Sequence, residues 1–73
     1  MDTRWIDDDM GIRYRWSEAA QGIEVQRACL GGPGFVDSVT VDGPATFAAR
    51  QLTARDAKRA GAPVWLCDAV RDA

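Results

Sequence analysis

Histidine is absent from this chain, and with it the side chain that most often trades protons near neutral pH. No Ser-His-Asp or Cys-His arrangement can be built, and Ser17 and Ser38 have no visible activator. Carboxylate pairs such as Glu18 with Glu24, or Asp56 with Asp68, are all that remains for acid–base work. A chain of 73 residues leaves little room for the water-excluding cleft they need. The expectation is a protein that is not an enzyme and carries no cofactor.

Cysteine is scarce too. The 2 Cys make no disulfide framework, and without His a zinc site would need at least two carboxylate ligands. Cys29 and Cys67 read as buried reduced thiols, with a bridge between them left open. No apolar run approaches the length that spans a bilayer, and no secretory signal precedes the cysteines. These absences point to a cytoplasmic protein with no membrane partner. Lysine is nearly missing, with 1 Lys against 8 Arg, and alanine is abundant. GC-rich genomes, such as those of actinobacteria and their phages, produce this bias. The formal net charge of −2 argues against a general nucleic-acid binder, since such domains are usually basic.

What is present divides near Asp42. Before it, the chain reads as strand and turn. Ile12 to Trp16 alternates strictly, with Ile12, Tyr14 and Trp16 on one side and Arg13 and Arg15 on the other. Ile23 to Arg27 alternates again. If the two pair as a hairpin, the outer face carries Arg13, Arg15, Glu24 and Gln26, and opposite charges there support the pairing. Gly31 to Gly34 is a loop without the lysine, hydroxyl or spacing of a phosphate-binding loop. Phe35 to Val41 reads as a third strand with Phe35, Val39 and Val41 on one side, which Asp37 interrupts near its start.

After Asp42, Gly43 and Pro44 are turn chemistry followed by a residue suited to a first helical position. One helix from 45 to 60 would put Asp56 in its apolar stripe. A restart at Thr53 removes that conflict, because Thr53 with Asp56 resembles a capping box. Gly61 would end that segment in the left-handed conformation. Pro63 would open a last segment over 64–71, a helix or a short strand. The expected fold is α+β: a three-stranded antiparallel meander over about 12–16, 23–30 and 35–41, packed against helices over about 45–60 and 64–71. It forms one small domain over 1–73, with 1–10 as a loose N-terminal arm. The expected core is Ile12, Tyr14, Trp16, Ile23, Val25, Val39, Val41, Phe47, Leu52, Leu66 and Val70.

Ala57, Gly61, Cys67 and Val70 resemble the alanine, turn glycine and buried positions of a helix-turn-helix unit over Thr53 to Asp72. The pattern departs from that family at Asp56, usually apolar, and in a last helix that offers Trp65, Asp68, Arg71 and Asp72. The resemblance implies a specific DNA-binding regulator, with Arg50, Arg55, Lys58 and Arg59 on phosphates. The other reading, which the residues favour, is a protein-binding module, a regulator or inhibitor. Its contact residues would be Trp5, Asp7, Asp8, Asp9, Arg13, Arg15 and Trp65, since Trp and Arg dominate interface energetics. The acidic triplet Asp7 to Asp9 lacks the spacing of a calcium loop and reads as a solvated turn. An edge of the meander offers a route to a homodimer.

Overall fold

The computed structural model describes residues 4–8 and 10–73. The chain is an α+β domain in which three helices cover one side of a four-stranded antiparallel sheet. The strands are β1 (Ile6–Asp7), β2 (Ile12–Ser17), β3 (Gly22–Arg27) and β4 (Thr40–Asp42), ordered β1-β2-β3-β4. The helices are α1 (Pro44–Ala49), α2 (Ala54–Arg59) and α3 (Val64–Asp72). The three helices pack on the core face, and among the described residues no helix or strand covers the other face of the sheet.

The central hairpin follows the alternation. Tyr14 pairs with Val25 and Trp16 with Ile23, and all four side chains are buried against the helices. Ser17 and Gly22 close the ladder. A Cβ at Gly22 would lie 2.6 Å from a methyl of the exposed Val41, so any larger residue there makes that side chain move aside.

The meander was expected to have three strands; the sheet has four. Ile6–Asp7, inside the stretch read as an arm, pairs with Tyr14 and Arg13. Asp8 makes this hairpin possible. Its Oδ1 accepts from the amides of Met10 and Ile12 at 2.8 and 2.9 Å, organising the turn. Sequence periodicity could not show a strand of two residues.

The third expected strand is also different. β3 ends at Arg27; over 35–41 only the start of β4 joins its ladder, with Phe35 forming an isolated bridge to Ala28 just beyond it. β4 has the opposite phase to the one expected. Asp42 lies opposite Ile23 and is buried, while Val41 lies opposite Glu24 and is 52% exposed. Val39 is exposed as well, and neither valine is core. Arg50, at the end of α1, donates from Nε to Asp42 Oδ2 at 2.5 Å. This ion pair makes the inward aspartate tenable. Two alanines join the core instead: Ala57 and Ala60 are fully buried in one cluster with Phe47, Leu66 and Val70. Ile12 packs at the core's fringe.

The helical region breaks where the capping chemistry breaks it. α1 stops at Arg50, followed by Gln51 in the left-handed region (φ 66°). Thr53 then caps α2. Its hydroxyl accepts from the Asp56 amide, and the Asp56 carboxylate accepts from the Thr53 amide at 2.6 Å. Gly61 (φ 91°) ends α2, with bonds from Gly61 N to the Lys58 carbonyl and from Ala62 N to the Ala57 carbonyl. That pair of bonds is a Schellman motif. The segment after Pro63 is helix, not strand. The Trp16 amide donates to the Ala60 carbonyl at 3.3 Å, so the α2–α3 turn covers the edge of β2 beyond the short β1.

Tyr14 joins the two layers. Its ring meets Phe47 edge-on (5.6 Å, 78°), and its hydroxyl donates to Asp56 Oδ1 at 3.3 Å. Burial, then the adjacent Asp56 charge, push its pKa up to about 12. An unfolded tyrosine ionises near pH 10, so above that pH the unfolded chain has lost a proton that the folded chain keeps. Tyr14 therefore contributes fully below pH 10, and its contribution falls as pH rises toward 12. Denaturant titrations should show about 2–3 kcal/mol of loss over that interval that Tyr14→Phe does not share. Phe47→Ala should cost about 3–5 kcal/mol and abolish cooperative melting, because so small a domain has little stability in reserve. Thr53→Ala should cost about 1 kcal/mol and only lower the melting temperature.

Candidate interaction surface

The uncovered sheet face is where the sequence-predicted residues meet. Arg13 and Arg15 project from β2 on the side away from the core, as expected. Arg13 Nε donates to Gln26 Oε1 at 2.7 Å, and Arg15 Nε to Glu24 Oε1 at 3.0 Å. Both are direct cross-strand pairs. Continuing the β1–β2 register by one residue places Trp5 opposite Arg15. The Arg15 guanidinium lies 4.4 Å from the Trp5 ring centre and that of Arg13 lies 4.6 Å from it. Phe35 stacks on the other side, 4.3 Å from the Arg13 guanidinium.

The result is a platform of two rings and two guanidiniums. Each cation–π contact is worth about 0.5–1 kcal/mol at such half-exposed positions. Gln26, buried, extends the network by donating from Nε2 to the Val36 carbonyl at 2.8 Å. Side chains held this way lose little further entropy when a partner arrives. The exposed Val41 flanks the platform next to Glu24.

Not all predicted residues join it. Asp7 does, across from Arg13. Asp8 is committed to the β1–β2 turn, and Asp9 lies outside the described residues. Trp65 is 56% exposed on α3, in the helical layer, beside the exposed Val64. Trp16 is core, and its indole N–H donates to Glu18. Sequence reasoning missed Phe35, placed in the expected third strand, and Gln26 as a brace. The position of Gln26 across from Arg13 was a usable signal, because the hairpin register makes them neighbours. Phe35 gave none, since loop geometry brings it over Arg13.

The residues proposed for phosphate contact also separate. Arg55, Lys58 and Arg59 are exposed on α2, with Arg59 4.0 Å from Asp56. Arg50 is engaged by the buried Asp42 and also approaches Thr40 Oγ1. On α3, Asp68 pairs with Arg71. Cys29 and Cys67 are free and partly buried. Among the described residues, no three of His, Cys, Asp and Glu are grouped to hold a metal ion, and no helix is long and apolar enough to cross a membrane.

Arg50→Met should cost about 3–5 kcal/mol, because it strands the Asp42 carboxylate in the interior. Arg55→Met, at an exposed site, should change stability by less than about 0.5 kcal/mol. Paired urea melts of the two variants check this.

A scan of protein-family models and searches of curated proteins and of solved structures returned no match to this chain.

Proposed function

We propose that this is a small non-enzymatic protein-binding module, a regulator or inhibitor acting in the cytoplasm, that meets its partner with the uncovered sheet face. The observation that carries the reading is the Trp5–Arg15–Arg13–Phe35 stack, a set of interface-prone side chains held in place before any partner arrives. The exposed Val41 adds apolar area at its side. The lack of histidine, and two cavities whose linings hold no carboxylate, support a binding role over a catalytic one. The two free thiols fit a reducing compartment.

A second reading keeps the DNA-binding regulator. Its support is the α2–turn–α3 unit with Arg55, Lys58 and Arg59 exposed together on α2. The acids on α3 weigh against it, so it stands second.

The test is capture from a lysate of the native host. Wild-type protein should retain a specific partner, and Trp5→Ala and Val41→Asp should each lose it while keeping the wild-type circular dichroism spectrum. Retention of the same partner by both variants would remove the sheet face from consideration. Salt-sensitive retention on a DNA column, lost in Arg55→Gln/Lys58→Gln, would favour the second reading.

A further inference from the structure

We propose that the gap between β3 and β4 is a binding site for a phosphate group, held by Arg27 and Arg50 with the hydroxyl of Ser38. The proposal is independent of the role assigned to the open sheet face.

The gap arises from a mismatch in chain length. The β3–β4 ladder pairs Val25 with Thr40, and the strands next meet at Ala28 and Phe35. Between those points β3 supplies Gln26 and Arg27, while the facing chain supplies Val36, Asp37, Ser38 and Val39. The surplus bows outward and leaves a cavity of about 190 Å³ lined by Val25, Gln26, Arg27, Val36, Ser38, Thr40 and Arg50. Its walls are braced without help from a ligand. Val36 N donates to the Arg27 carbonyl at 3.1 Å, and Gln26 Nε2 donates to the Val36 carbonyl. In an antiparallel ladder a residue's N–H and C=O point the same way, so the Arg27 amide also faces the gap.

The donors suit an oxyanion. Arg50 is positioned by Asp42 through Nε, and its Nη2 reaches Thr40 Oγ1 at 3.4 Å, which leaves part of its fork free. Arg27 is exposed and makes no ion pair among the described residues. No carboxylate lines the cavity; Asp37 is exposed and outside the lining. Two guanidiniums, the Ser38 hydroxyl and the Arg27 amide offer donors from several directions, while Thr40 spends its one proton on the Val25 carbonyl and serves to place Arg50. Such a donor set matches a tetrahedral phosphate better than a planar carboxylate. The volume lies below the roughly 300 Å³ at which small-molecule sites begin. It therefore encloses a single head group and leaves the rest of any larger ligand outside the gap.

The group can arrive as free phosphate or on a phosphorylated side chain, and an NMR titration separates the two. ¹⁵N-labelled full-length protein is titrated with inorganic phosphate, with O-phosphoserine, and with acetate and chloride at equal ionic strength. Saturable shifts are expected at the amides of 26–27 and 36–40, with phosphate binding at least about tenfold tighter than acetate, the worth of one charge-assisted hydrogen bond. Arg27→Gln should weaken it by about the same factor without changing the melting temperature, and Ser38→Ala should weaken it less. Tighter binding of phosphoserine than of inorganic phosphate assigns the site to a phosphorylated partner, and the reverse order to the free ion. Shifts no different from those given by chloride, or an Arg27→Gln variant that binds phosphate as wild type does, would overturn the proposal. Val41→Asp should still bind phosphate, so failure of the open-face reading leaves this one standing.

Discussion

Tyr14 is the side chain on which the two layers agree. It sits fully buried on the core side of β2, edge-on to Phe47 of α1, with its hydroxyl on Asp56 of α2. One residue thus joins the sheet to two helices, and its polar end reaches the carboxylate that also closes the Thr53 capping box. Because side chains alternate along a strand, an inward Tyr14 forces Arg13 and Arg15 outward. The platform on the open face is the other side of the same constraint.

A second constraint acts at the sheet's edge. Burying Asp42 is tenable only because Arg50 folds back onto it, and that pair fixes the phase of β4. It turns Val41 out to solvent and removes Arg50 from the exposed basic face of the helices. The same edge ends in the ladder gap beside Arg27. The charge chemistry of the helical side is thus shared between an internal ion pair, an exposed basic patch on α2, and the lining of a small cavity.

Much of this was legible in the chain and some of it was not, for reasons that differ by residue. The faces of β2 and β3 followed from alternation over five or more residues. The break at Thr53 followed from an aspartate that no continuous helix could bury well. Gly61 ended α2 because a left-handed residue was needed there and glycine adopts it cheaply. Strand β1 was hidden because two residues carry no period. Val39 and Val41 misled because alternation says that sides differ without saying which is inside. At a three-residue edge strand, a single ion pair outweighs two valines.

By itself the sequence determined the local choices: the extended central hairpin of β2 and β3, where helices start and stop, and the absence of an imidazole for proton transfer. Those depend on neighbours within about one turn or one strand, and propensity and capping act at that range. The tertiary structure alone decided which face of β4 is buried, that Trp5 and Phe35 flank Arg13, and that four chain residues span a gap matched by two. Each of these is a contact between segments far apart in the chain. Packing geometry selects such contacts, and no local pattern encodes it.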